Sequence, residues 1–138
     1  MEEKRITFPT AVLAKEKGFN AETCDYYRIT GSGPFNTAKR NWNNDSEMKT
    51  AGGMTYISAP TQSLLQKWLR EVHGLHIAIL YSPLQSKYEH ELYKTDEDLI
   101  QDSLLKLSMD VEEYVIYNSY EDALEAGLQE QLKKLPNQ

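Results

Sequence analysis

The stretch Pro60–His76, PTQSLLQKWLREVHGLH, constrains this chain more than any other. Leu64, Leu65, Trp68, Leu69 and Val72 recur at helical spacing, and Gln62, Ser63, Gln66, Lys67, Arg70 and Glu71 fill the opposite side. Thr61 (or Ser58) is placed to cap the start, and Gly74 supplies the left-handed residue that stops the helix. The spacing predicts a helix over 61–73 with one apolar stripe. Burying Trp68 and the leucines contributes roughly 1.5–3 kcal/mol each, so this helix anchors the expected core.

Beyond Gly74 the period changes. Leu75, Ile77, Ile79 and Tyr81 alternate at spacing two, the turn Ser82–Ser86 intervenes, and Lys87–Lys94 alternates again. Strands over 75–81 and 87–94 in an antiparallel hairpin are expected. Met54–Ser58 and Val111–Asn118 add two further strand candidates. A helix is predicted over 96–107 on Leu99, Ile100, Leu104 and Leu107. The final helix, 120–135, has Ser119 at its cap and a stripe of Ala123, Leu124, Leu128, Leu132 and Leu135. Gly127 sits on or beside that stripe; a glycine there costs about 1 kcal/mol relative to alanine, which points to close backbone packing. The fold class is therefore α+β: one small, mainly antiparallel sheet with helices 61–73 and 120–135 on one face. At 138 residues a single domain over 1–138 is expected.

The front of the chain is less regular. Phe8-Pro9-Thr10 leads into a short helix over 11–17 capped by Thr10, with Gly18 as its stop. Asn20–Asp25 could open a second short helix, and the pair invites comparison with a helix-turn-helix. The second segment offers only Asn20 and Arg28 toward bases, too few for a recognition helix. Residues 28–54 hold no sustained period, and Gly31, Gly33, Pro34, the run NWNND and Gly52-Gly53 punctuate them. A structureless run of that length inside a domain is functional or mobile.

Charge singles out the same stretch. The chain carries −6, and residues 87–138 hold 13 acids against 5 bases, whereas residues 28–54 have a net charge of +2. An acidic protein is a poor general nucleic-acid binder, because affinity there depends on neutralising phosphates. Lys39 and Arg40 beside Trp42 combine cation and ring, as an anionic, ring-bearing ligand requires. Arg28, Tyr26 and Tyr27 extend that set. Gly31-Ser32-Gly33 lacks the lysine and hydroxyl of a phosphate loop. Nine tyrosines and two tryptophans give ample contact surface.

Catalytic and metal chemistry find little support. The three histidines, His73, His76 and His90, have no ligand spacing and no cysteine pair to complete a site. Cys24 stands alone, which fits a reducing compartment, and no acid, base and nucleophile share a recognisable spacing. No enzyme, metal or cofactor is expected. No apolar run approaches a membrane span, and MEEKRITF lacks a signal-like apolar core, so a cytoplasmic protein is expected.

The segments FPTAVLAKEKGF, APTQSLLQKWLREVHGLHI and SYEDALEAGLQEQLKKL resemble a family of small uncharacterised proteins of gut anaerobes and of their phages and mobile elements. The resemblance covers residues 8–19, 56–79 and 119–135 and carries no catalytic motif. It implies a cytoplasmic accessory protein of a phage or mobile element, a kind that often binds host defence proteins or nucleotide signals. The expected function is a self-associating, non-enzymatic binding protein that acts on a host protein or a small anionic, nucleotide-like ligand, including in counter-defence. The alternative is a DNA-associated regulator using helix 11–17. Specific duplex binding is not expected.

Overall fold

The computed structural model describes residues 3–44, 55–94 and 115–138. The elements in chain order are α1 (Phe8–Glu16), β1 (Thr23–Arg28), β2 (Phe35–Arg40), β3 (Tyr56–Ser58), α2 (Gln62–His73), β4 (Leu75–Ser82), β5 (Lys87–Lys94) and α3 (Tyr120–Lys133). The protein is an α+β fold with antiparallel sheets. The expected helix over 96–107 and residues 45–54 and 111–114 lie outside the described residues.

The anchor helix forms as its sequence dictates. The Thr61 hydroxyl accepts from the Leu64 amide at 3.2 Å, satisfying an amide that has no partner within the helix. Gly74 ends α2 at φ 65°, in the left-handed region. Gln62, Leu65, Trp68 and Leu69 are buried, whereas Val72, placed on the stripe by spacing, is 60% exposed. In α3 the Ser119 hydroxyl accepts from the Asp122 amide, and Ala123, Leu124, Gly127, Leu128 and Leu132 face inward. Gly127 presses onto β4: a Cβ there would stand 2.9 Å from Ile77 Cγ2. The expected close approach is real.

Two sheets replace the one that was expected. In the first, β1 is central and pairs antiparallel with β2 and β3. The second is the hairpin β4-β5, in continuous register from Leu75↔Lys94 to Ser82↔Lys87. Residues 115–118 form no strand; Tyr117 makes a single antiparallel bridge to Tyr88. Two further expectations fall at the front of the chain. Residues 23–28 are strand rather than helix, so no helix follows α1 to complete a helix-turn-helix. Residues 35–40, read as irregular, form β2. The first helix also begins earlier than 11, with Thr7 at its cap and Thr10 buried, because Pro9 presets the backbone of its first turn.

A shared core joins the two sheets. Leu65, Trp68 and Leu69 of α2 meet Leu124, Leu128 and Leu132 of α3, Ile57 of β3, Leu75 and Ile77 of β4, and Ile6, Ala11, Ala14 and Phe19 around α1. The Phe19 and Trp68 rings meet edge to face at 5.3 Å. Polar clamps hold the layers in register. The Gln131 amide donates to the carbonyls of His76 at 2.8 Å and Tyr93 at 3.3 Å, fixing α3 on the hairpin. The buried Glu125 carboxylate accepts from the Gln62 side chain at 3.1 Å and from the Thr7 backbone amide at 3.3 Å.

Candidate functional site

The strand β1 sorts its side chains by period two. Thr23, Asp25 and Tyr27 point into the protein and are buried; Cys24, Tyr26 and Arg28 point outward. Cross-strand partners share a face, so Tyr26↔Phe35 and Arg28↔Tyr56 put four large side chains together on the outer side of the first sheet. Tyr26 is the hub. Its ring stacks on Trp42 at 4.3 Å, tilts against Phe35 at 5.5 Å and meets Tyr56 edge-on at 5.2 Å.

Trp42 is the floor of this cluster, not its surface. It is 5% exposed, and its indole N–H donates to the Thr23 carbonyl at 2.8 Å. Its neighbour Asn43 fixes the turn around it, donating to the Phe19 carbonyl at 2.9 Å and accepting from the Ser58 amide at 2.9 Å. A ligand ring has almost no access to the indole.

The cations lie outermost. The Arg28 guanidinium sits over the Phe35 ring at 4.7 Å and Arg40 over Trp42 at 6.0 Å. Both arginines and Lys39 are exposed, and among the described residues none of the three forms an ion pair. Seating a guanidinium on a ring fixes its plane and leaves its N–H edges free for a carboxylate or phosphate. The nearest acid on β1, Asp25, is committed on the opposite face to Arg5 and to the Asn36 side chain.

Of the six residues the sequence singles out, Tyr26, Trp42, Arg28 and Arg40 are joined through the ring cluster, and Lys39 is exposed on β2 next to Arg40. Tyr27 lies apart from them. Its ring lies in the core, its hydroxyl donates to the Ile6 carbonyl at 2.7 Å, and burial followed by the nearby Glu125 charge pushes the phenol above its ordinary value. Phe35, missed from sequence, holds Arg28, and Tyr56 closes the cluster. The alternation of buried Thr23, Asp25 and Tyr27 was the available signal for both, concealed because two of the inward residues are polar.

The rest of the molecule offers less chemistry. Among the described residues no group of three or more His, Cys, Asp or Glu is placed to hold a metal ion, and no helix is long and apolar enough to cross a membrane. Cys24 is exposed on the outer face of β1. His90 packs under α3 beside Tyr117, its ring centroid 5.6 Å from the tyrosine, and burial lowers its pKa. A cleft of about 310 Å³ opens at the far end of the hairpin, lined by Ser82, Gln85, Lys87, Tyr88, Glu89 and Ile116. The chain matches no family model, no curated protein and no solved structure.

Proposed function

We propose that this chain is a non-enzymatic binding protein that offers the outer face of the β2-β1-β3 sheet to an anionic partner. One observation carries the reading. Three cations without ion-pair partners among the described residues lie along the β1-β2 pair of an otherwise acidic chain, Arg28 at one end and Lys39 and Arg40 at the other, with the two arginines over aromatic rings. A guanidinium held in this way keeps its hydrogen-bonding edge and has little rotamer freedom left to lose on binding. Tyr26, Phe35 and Tyr56, all half-buried, supply the apolar contact between the charges. Arg28, Lys39 and Arg40 are all exposed, which suits contact with a phosphate- or carboxylate-bearing partner. This reading agrees with the resemblance to accessory proteins of phages and mobile elements, whose expected target is a host protein or a nucleotide-like anion in the cytoplasm.

The test is a titration of the wild type and of a triple variant (R28A, K39A and R40A). The probes are nucleoside mono-, di- and triphosphates and an oligoglutamate peptide, at low and high salt, followed by calorimetry. Binding that weakens at least about tenfold in the variant and falls with salt supports the reading. Equal binding by variant and wild type, with unchanged folding, defeats it.

A further inference from the structure

His90 is built into the contact between α3 and the hairpin. By the hairpin register it pairs with Ile79, on the face that packs under α3. A methyl at Gly127 would stand 3.5 Å from its Cβ and Cγ, so the bare backbone of α3 is what admits the ring. The Tyr117 ring lies 5.6 Å away, tilted by 32°. The Nδ1 atom of His90 is shut off from solvent and has no hydrogen-bond partner. The segment that carries Tyr117 is held lightly. Tyr88 and Tyr117 exchange two backbone hydrogen bonds, at 2.9 and 2.8 Å, and Lys87 donates to the Asn118 side chain. Helix α3 is held far more firmly, by its buried leucines and by the Gln131 clamp on His76 and Tyr93.

A neutral imidazole has one bare nitrogen, so an unpartnered Nδ1 is tolerable in this place. An imidazolium donates from both nitrogens, and its Nδ1 proton would be buried here with no acceptor. Burial accordingly lowers the His90 pKa. Among the described residues, the charges around the ring do not cancel that effect. Glu130 of α3 and Glu89 of β5 favour the charged ring, and Lys134 beyond α3 opposes it. Glu130 is also shared with Lys133 at 3.4 Å. Tyr117 remains a neutral phenol, pushed up by burial and then by Glu130. A ring that takes up a proton must reach water, and of the two elements that confine it the lightly held one yields. We propose that His90 is a proton-operated latch: uncharged, it holds residues 115–118 against the edge of β5, and charged, it swings out and opens the Tyr88–Tyr117 bridge while α3 stays docked. The latch is closed above the ordinary histidine value of 6.5 and opens as pH falls through the lowered one.

The test is amide hydrogen exchange of the full chain by NMR between about pH 8 and pH 5, with the His90 ring titration followed in the same spectra. Protection is taken relative to the intrinsic exchange rate at each pH. The Tyr88 and Tyr117 amides lose protection as the ring gains its proton, by about tenfold for each unit that closure lowers its pKa. The Leu128 amide in α3 keeps its protection. His90→Gln, which cannot be charged, removes the pH dependence at the bridge. Glu130→Gln takes away an anion that favours the charged ring, so it carries the loss to lower pH. Bridge protection that does not vary with pH in the wild type overturns the proposal. So does Leu128 protection that falls in step with the bridge, because the whole fold then opens at once. A His90→Gln variant with the wild-type profile overturns it too. Should that variant fail to fold, Glu130→Gln decides: a profile that shifts supports the latch, and one that does not defeats it. None of these residues belongs to the cationic face, so the two readings stand or fall separately.

Discussion

Gly127→Ala pits two effects of known size against each other at one atom. Alanine in a helix interior is favoured over glycine by about 0.8–1 kcal/mol, so an exposed site would gain that much. Here the new methyl would stand 2.9 Å from Ile77 Cγ2 and 3.5 Å from His90 Cβ. Ile77 is 8% exposed and part of the core, so its methyl cannot swing away into solvent. Overpacking of this kind costs about 1–3 kcal/mol, which outweighs the helical gain and leaves a net loss of about 1 kcal/mol. Removing the obstacle should reverse the sign. Ile77→Ala alone costs about 2–5 kcal/mol, and in that background Gly127→Ala should stabilise by about 1 kcal/mol. Urea denaturation followed by tryptophan fluorescence measures all four corners of the cycle. If Gly127→Ala stabilises the wild-type background by the full helical increment, α3 and β4 are not in close contact there, and the register of helix on hairpin is wrong.

The remaining expectations concern the candidate site and pH. Trp42→Ala should destabilise by about 3–5 kcal/mol, measured by chemical denaturation, because it empties the floor of the ring cluster and orphans the Thr23 carbonyl. Lys39→Ala with Arg40→Ala should leave the melting temperature nearly unchanged, since exposed charges contribute under about 1 kcal/mol to folding; a large drop in the double variant would make those cations structural. Burial depresses the His90 pKa in the fold, so the unfolded chain binds the extra proton more readily, and the histidine's contribution to stability is present above its ordinary value of 6.5. Stability should fall as pH drops below that value and level off below the depressed one. His90→Gln should flatten that part of the profile in denaturation measured as a function of pH, and a variant as steep as wild type would assign the dependence to another group.

How much of this was legible depended on whether a residue's role was local. Thr61, Gly74 and Ser119 announce α2 and α3 because caps and stripes are read within a few residues. The hairpin was legible for the same reason, since Leu75, Ile77 and Ile79 alternate. β1 was not. Its inward face is Thr23, Asp25 and Tyr27, and it tolerates polar groups because Asp25 is satisfied by Arg5 and Asn36, residues distant in sequence. β2 hid for the opposite reason: an edge strand exposed along Asn36–Arg40 has no apolar face to alternate. In the candidate site the residue types were legible but the division of labour was not. Cation next to tryptophan suggested a stacking ring at Trp42, whereas the fold buries that ring and leaves the arginines exposed above the cluster.

Glu125 bears on the order in which the molecule assembles. The first turn of α1 contains no acidic residue, and the Thr7 side chain at its cap receives no backbone amide of the helix, meeting within it only the Thr10 hydroxyl at 3.2 Å. The carboxylate that receives the Thr7 amide and stands at the positive end of α1 comes instead from α3, 118 residues later in the chain. A helix of nine residues without a local cap is a poor nucleus in water, so α1 must wait for α3 to dock. α2 and α3 bring their own caps, and the hairpin closes locally, so this half can form first. On this ordering Thr7 contributes little at the folding barrier: Thr7→Val should accelerate unfolding and leave the refolding rate nearly untouched in stopped-flow measurements. Slower refolding instead would place α1 in the nucleus. On this ordering the first helix of the chain acquires its structure only after the last one has docked.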